Sequence, residues 1–390
     1  MLHFLGLNRK EKRKVTRGER IVIRMRRNVL KVSAALLAVA VCMSGYGTKK
    51  NTETVDLREV SLDEIIEKAK EEGEIASVGM PDDWANWRGS WTSITETYGL
   101  THEDTDMSSA EELSTFETEK DAATKDIGDV GQAFGQTAID MDVVQPYKAT
   151  TWDSVPDWAK DPDGNWVITY VGTMSCMVNK AKVGETIDSW KTLADSDCVV
   201  TIGDVVRGAS SQMAVLSCAY SLGGGVDNLD PAFDFFKQLA EDGRLDAGTY
   251  SQERMERNEI DIYLTWDYLT LQYRDLTLEA APDAEIECHV MSDGAIQSGY
   301  CLVINKYAPH PYSAALTVEY MLSDEGQIDR AKGYARPIRS DVELPAELAE
   351  KMISDTEYTN TIPLTDNEAI TAACTEIATR WEEEIIPLME

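Results

Sequence analysis

Histidine is scarce: four occur in 390 residues, and only His102, His289 and His310 lie beyond the first few positions. No defensible Ser/His/Asp order, nucleophile elbow, HExxH or phosphate-binding glycine loop occurs, so the common hydrolase and nucleotide chemistries lack their residues. The seven cysteines make no CxxC and no Cys/His spacing of a zinc site. Basic charge is also short. Beyond residue 50 there are 24 Lys and Arg against 67 Asp and Glu, a net of −43. Phosphate repels such a surface, and no basic stripe survives to bind nucleic acid. No apolar run reaches the roughly 20 residues of a spanning helix.

What is present is a folding chain, 43% hydrophobic and 27% charged, long enough for two or three domains. Charge is segregated. Residues 1–50 hold 13 Lys and Arg and two Glu, a net of +11, a split expected when a targeting segment precedes an acidic body. After Arg26 and Arg27, the stretch Val29 to Met43 is apolar except for Lys31 and Ser33, which matches a secretory export signal; a permanent N-terminal anchor is the alternative. Residues 1–24 add nothing that export requires, so Met25 is a candidate initiator. Met43-Ser44-Gly45-Tyr46 resembles a lipoprotein signal end with Tyr46 in place of the acceptor Cys, and Cys42 is a candidate for lipidation, with ordinary cleavage and release as the alternative. The other six Cys permit disulfides by number, yet most sit in apolar runs such as MAVLSCAY and SGYCLVI that read as buried free thiols.

The body alternates strands and helices. Ser61-Leu-Asp-Glu64 is a capping box opening a helix that stops at Gly73. Strand 74–80 follows, then helices 87–98 and 108–123. Further strands are expected at 129–134, 166–179, 198–204, 259–266, 286–290 and 298–305. Further helices are expected at 189–193, 210–222, 231–241, 311–322 and 366–386, with a helical turn at 267–274 and Ser323-Asp-Glu-Gly-Gln327 continuing its helix. This alternation predicts an α/β fold of open, mostly parallel sheets, and the mature length suits two lobes. The ligand crevice of such sheets lies at the C-terminal strand ends, here the loops after 74–80, 128–133, 198–204 and 259–266.

Several stretches then resemble a known family. Trp166, Tyr170, Gly172, Thr173, Val178 and Asn179 are similar to the crossover segment of the iron- and polyamine-type extracellular solute-binding proteins of bacterial ABC importers. Asp188-Ser-Trp-Lys-Thr-Leu193, Ser323-Asp-Glu-Gly-Gln327 and Gly333-Tyr-Ala-Arg-Pro-Ile-Arg339 resemble later motifs of that family, in order. The resemblance implies a two-lobe type 2 periplasmic-binding fold with hinge crossovers near 170–178 and 290–300. Lobe 1 would comprise 55–170 plus 300–335 and lobe 2 178–290, with a C-terminal helical segment, 340–390, packing across them and 1–50 as the N-terminal extension and export signal. It implies a monomer outside the cytoplasm, lipid-anchored or released, with no catalytic residue, cofactor or resident metal. It would deliver a small solute to an ABC permease by hinge closure.

Candidate ligand contacts follow from residue chemistry. Asp83, Trp84 and Trp87 after the first strand, with Asp82, suit a cation through charge pairing and cation–π contact; helix capping and core packing are the plainer roles. Phe134, beside Gln132, leaves the second strand, and Tyr170 and Thr173 lie in the first crossover. Asp204, Arg207, Ser210 and Ser211 lead into a helix whose N-terminal amides attract anions, or which Ser210 merely caps. Trp266, Asp267 and Tyr268 combine an aromatic platform with a carboxylate, and Tyr300 stands near where polyamine binders of the family carry an Asp. Tyr300, and Arg207 with two Ser in the earlier loop, depart from the polyamine pattern, and the lack of a Tyr-Tyr pair disfavours bare ferric iron. The expected solute is small, polar and cationic, polyamine-like or another organic amine. An anionic or metal-complexed solute, a ligand-sensor role and a secreted hydrolase are the alternatives.

Overall fold

A computed structural model describes residues 55–389, so the export signal, Cys42 and Met25 lie outside the described residues. The local rules hold at the start of the body. Ser61 accepts the amide of Glu64 at 3.3 Å to open helix Leu62–Glu72, and Gly73 closes it in the left-handed region at φ 74°. Helix Trp87–Tyr98 ends likewise at Gly99. Helix Ser109–Glu119 is opened by a capping box in which Glu111 accepts from both the amide and the hydroxyl of Ser108.

The strands are β1 (Glu74–Val78), β2 (Thr101–Thr105), β3 (Ile127–Gly131), β4 (Val144–Gln145), β5 (Val167–Asn179), β6 (Val200–Thr201), β7 (Leu245–Asp246), β8 (Ile262–Trp266), β9 (Ile286–Val290), β10 (Ile296–Asn305), β11 (Arg336–Pro337) and β12 (Ile362–Pro363). They run in the order β2-β1-β3-β10-β5-β8-β6-β7. This path is two sheets sharing β5, whose thirteen residues are all buried. Up to Thr173, β5 pairs antiparallel with β10; from Met174 it pairs antiparallel with β8 and from Ser175 with β9. The outer pairs β1–β2, β1–β3, β6–β7 and β6–β8 are parallel. The parallel strands thus lie outside the strands that cross between sheets. Residues 291–295 carry the chain back from β9 to β10.

Each sheet has its own core. Ile65, Val78, Trp91, Phe116, Ile127, Leu302 and Leu316 pack on the first. Trp190, Val200, Leu216, Phe233, Phe236, Leu264 and Trp381 pack on the second. Each fully buried large apolar side chain contributes about 1.5–3 kcal/mol. Helix Asn367–Arg380 touches both sides: Thr371 donates to Ala133 O at 2.7 Å, while Trp381 just beyond it meets Phe236 at 5.1 Å.

Four local expectations change. Thr101–Thr105 is an edge strand without an apolar alternation, held by β1 and by His102 stacked on Trp91 at 3.8 Å. The strand expected at 198–204 shortens to β6, because Gly203 turns at φ 84° and Asp204 takes the amides of Val206 and Arg207. The turn at 267–274 is a full helix, Asp267–Ala280, held against the core by Leu269, Leu271 and Thr277. Ser323 separates Pro311–Leu322 from Asp324–Lys332, closing one helix and capping the next through Gly326 N. The six described cysteines are free thiols, five of them buried. Among the described residues no helix is long and apolar enough to cross a membrane.

Candidate ligand-binding site

The C-terminal ends of β1, β2 and β3 open onto a cavity of about 310 Å³. The first sheet supplies Gly79, Pro81 and Trp84 after β1, Asp106, Met107 and Ser108 after β2, Glu111 and Glu112 from helix Ser109–Glu119, Asp129 from β3 and Tyr300 from β10. Gly208, Ala209 and Ser210, at the start of helix Ala209–Ser221 beyond β6, face them from the second sheet. The two sides approach so closely that a Cβ on Gly131 would collide with the Ala209 methyl. The cavity therefore lies between the two sheets, where the strand-end rule places a ligand.

Its deepest polar groups are Glu112 and Asp129, each 1% exposed. Two glycines make room for Glu112: a Cβ on Gly79 or on Gly128 would land on its carboxylate. Glu112 Oε2 accepts the Asp129 amide at 3.0 Å. Asp129 Oδ2 accepts from the Tyr170 hydroxyl at 2.8 Å and from Trp87 Nε1 at 3.3 Å, while Oδ1 is buried with no hydrogen-bond partner among the described residues. Burial raises the Asp129 carboxyl to about 7, opposed mainly by the Arg330 guanidinium. Burial, then the charge of Asp129, raises Glu112 well above the usual carboxylate range. Arg330, wholly buried, lies over the Trp87 ring at 3.3 Å and donates to Ala85 O at 2.8 Å. Burial lowers its guanidinium to about 10, so it stays charged at neutral pH.

An aromatic wall covers this pair. Trp84 Nε1 donates to the Tyr170 hydroxyl at 3.1 Å, continuing the chain of hydrogen bonds to Asp129. The Trp84 ring stands edge-on to Tyr300 at 5.3 Å and to Tyr268 at 6.1 Å. Tyr170 lies parallel to Tyr300 at 6.1 Å.

The candidates from sequence fall into three groups. Trp84, Ser210 and Tyr300 line the cavity, and Tyr170 stands directly behind it. Trp266 and Tyr268 are fully buried behind that layer, against Gly172, and the Trp266 indole N–H and Tyr268 hydroxyl have no hydrogen-bond partner among the described residues. The others sit elsewhere. Asp83 is exposed and pairs with Arg88 at 3.0 Å; Trp87 is core beneath Arg330. Phe134 is half-buried between the two cores. Asp204 closes its own turn and pairs with Arg207 at 2.8 Å, and the buried Ser211 hydroxyl lies against Gly203. Asp267 is spent on structure: Oδ1 accepts the amides of Thr173 and Tyr268, and Oδ2 accepts the Tyr358 hydroxyl at 2.7 Å. Gln132 bonds Ser298, Leu364 O and Asn367. Sequence reasoning missed Glu112, Asp129, Asp106 and Glu111. The available signals were an Asp inside the apolar strand IGDVG and glycines at 79 and 128.

Comparison with known proteins places this geometry. No curated protein matches the sequence. Among solved structures, the chain is similar to the periplasmic binding protein AfuA from Actinobacillus pleuropneumoniae, solved with exogenous fructose-6-phosphate: 19% identity, TM-score 0.65, over 80% of this chain and 98% of that one. Iron-bound HitA from Pseudomonas aeruginosa is similar at 16% identity and TM-score 0.63, over 80% of this chain and 99% of that one. A periplasmic thiamin binding protein is similar at 15% identity and TM-score 0.65, over 80% and 96%. At such identities the likeness shows the fold, the two-lobe type 2 periplasmic-binding architecture, and leaves the solute open. The family model for bacterial extracellular solute-binding proteins matches residues 123–361, more than half of the chain and including both crossovers, and the chain belongs to that family.

Proposed function

We propose that this protein captures a small cationic organic solute, polyamine-like or another amine, in the cavity between its lobes and delivers it to an ABC permease. The observation that carries the reading is the cavity wall. Asp106, Glu111, Glu112 and Asp129 line it beside Trp84 and Tyr300, and no Lys or Arg is among its lining residues. Carboxylates attract a cation, the indole face adds cation–π attraction, and enclosure in a low-dielectric cleft strengthens both. Lobe 1 is assigned to 55–170 plus 300–335 and lobe 2 to 178–290, hinged where β5 changes partners at Thr173–Met174 and at residues 291–295, with 340–390 packed across both. Closure then presents one shape to the permease. In this reading the protein works as a monomer outside the cytoplasm, exported by its N-terminal segment and either lipidated on Cys42 or released, and performs no catalysis.

A second reading has its own observation. Helix Ala209–Ser221 opens onto the cavity behind Gly208 with no side-chain cap, which favours an anionic group. A thermal-shift screen of polyamines, amino-alkyl compounds, sugar phosphates, phosphonates and metal chelates separates the two. A saturating solute at a hundred times its Kd stabilises the folded form by about 2.7 kcal/mol. The cationic reading expects the hit among the amines; a hit confined to anions overturns it.

A further inference from the structure

A cavity that selects only for positive charge needs carboxylates and aromatic faces. This one also holds a hydrogen-bond acceptor with nothing to accept from. Asp129 lines the cavity and is 1% exposed; its Oδ2 takes two donors, and its Oδ1 is buried with no hydrogen-bond partner among the described residues. Glu112 lies beside it, held by the Asp129 amide in a slot that only glycine at 79 and 128 leaves open. Buried acceptors in native proteins are paired, and one left open at a cavity wall asks for a donor from the ligand. For the cationic solute proposed above, the donor that meets both the acceptor and the charge is an N–H.

Resting on the cationic reading of the site, we propose that the solute is an N–H cation, an ammonium or amidinium, whose hydrogens are taken by Asp129 Oδ1 and the Glu112 carboxylate beneath Trp84 and Tyr300, and that cations with fully methylated nitrogen are rejected. An ammonium meets both the charge and the open acceptor. A quaternary nitrogen offers the same charge wrapped in methyl groups, and seats them on Oδ1 with no donor. Leaving one buried acceptor unpaired lowers affinity by about tenfold or more. Trp84 and Tyr300 alone would not make this distinction, since an aromatic face attracts either kind of cation. The charged groups around the pair are Asp104 and Asp106 on the β2 side and Arg330 beneath.

The test is titration calorimetry on the exported protein with matched pairs: n-butylamine, 1,4-diaminobutane and butylguanidine against N,N,N-trimethylbutylammonium and 1,4-bis(trimethylammonio)butane. The expected result is at least one N–H cation binding ten times tighter, or more, than its methylated counterpart. Glu112→Gln and Asp129→Asn should each shrink that preference to less than about threefold. Equal binding of the pairs, a preference for the methylated members, or variants that keep the full preference overturn the proposal. If Glu112→Gln fails to fold, Asp129→Asn and the paired titrations on the natural protein still decide it. Binding of methylated and N–H cations alike defeats this inference and leaves the cationic reading intact, whereas a panel in which no cation binds defeats both.

Discussion

Asp129 and Asp267 are the same residue at the same depth, each 1% exposed, on opposite sides of the crossover strand β5. Their hydrogen bonding differs. Asp267 has both oxygens filled, by the Thr173 and Tyr268 amides and the Tyr358 hydroxyl, and so ties β5, its own helix and the chain beyond β11 together. Asp129, at the cavity wall, has one oxygen filled and one buried without a partner among the described residues. Burial and charge are thus common to a structural carboxylate and to a binding one. Unfinished hydrogen bonding separates them.

The largest expected effects test the structural side of this contrast. Asp267→Ala strands three donors that now bond a carboxylate, and should lower unfolding free energy by about 3–5 kcal/mol in a urea titration. Asp129→Asn keeps an acceptor for Tyr170 and Trp87 and removes a strained charge, so it should not lower the unfolding free energy at neutral pH while it weakens amine binding. Equal stability costs would erase the distinction between the two residues. The same logic divides the tryptophans. Trp266 is 1% exposed, so Trp266→Ala should cost about 3–5 kcal/mol and report on the core. Trp84 is only half-buried at the cavity wall, and Trp84→Ala should cost about 1–2 kcal/mol while abolishing cation binding in calorimetry.

These assignments show what the residue order could and could not convey. Helix ends were legible because Ser61, Gly73, Gly99 and Ser108 act on their immediate neighbours. The long crossover strand was legible because thirteen buried residues leave an unbroken apolar run. Thr101–Thr105 was not, since an edge strand that packs through one His need not alternate. In the site, Trp84, Tyr170 and Tyr300 announce themselves as aromatics at strand ends and crossovers. Glu112 does not. On its helix it is one more acid among exposed Glu111 and Glu117 and half-buried Glu119, and its burial depends on Gly79 and Gly128, which only the tertiary fold brings to it. Asp267 presents the opposite case: a Trp-Asp-Tyr triplet suggests a ligand contact, yet its carboxylate partners, Thr173 and Tyr358, are remote in sequence.

A pH series sharpens the contrast further. The Asp129 carboxyl stands at about 7 in the folded protein against 3.8 for an ordinary Asp, because burial disfavours its charge. A folded-state value above the unfolded one means that the folded protein holds the proton longer. Its stabilising contribution is complete below about pH 4 and is lost as pH rises through about 7, with a slope of at most about 1.4 kcal/mol per pH unit. Glu112 and Asp104 shift in the same direction, also through burial, while Arg330 keeps its charge across this window. His102, lowered to about 4 by burial, works in the opposite sense across this window, so Asp129 is read as a difference: from pH 4 to 7, Asp129→Asn should gain melting temperature relative to the natural protein without solute. Amine affinity should rise with pH, as the pair ionises toward a bound cation. A melting-temperature profile of the same shape in both proteins would contradict the assignment of Asp129 as the strained member.

The smallest effect probes how the two sides meet. Gly131 has an ordinary extended backbone, φ −55° and ψ 149°, that any residue adopts, so a side chain there brings no conformational strain. Its only conflict is across the cavity, with the Ala209 methyl at the start of the opposing helix. Gly131→Ala should change the chemical unfolding curve by less than about 1 kcal/mol, because the one core methyl it meets, Ala209, stands at the first residue of its helix. It should weaken amine binding by about three- to tenfold, since closure must then hold the lobes slightly apart, or shift the start of helix Ala209–Ser221, before the solute is enclosed. Ala209→Gly in the same chain removes the opposing methyl and should restore affinity. If Gly131→Ala binds amines as the natural protein does, the approach of Gly131 to Ala209 plays no part in enclosing the solute.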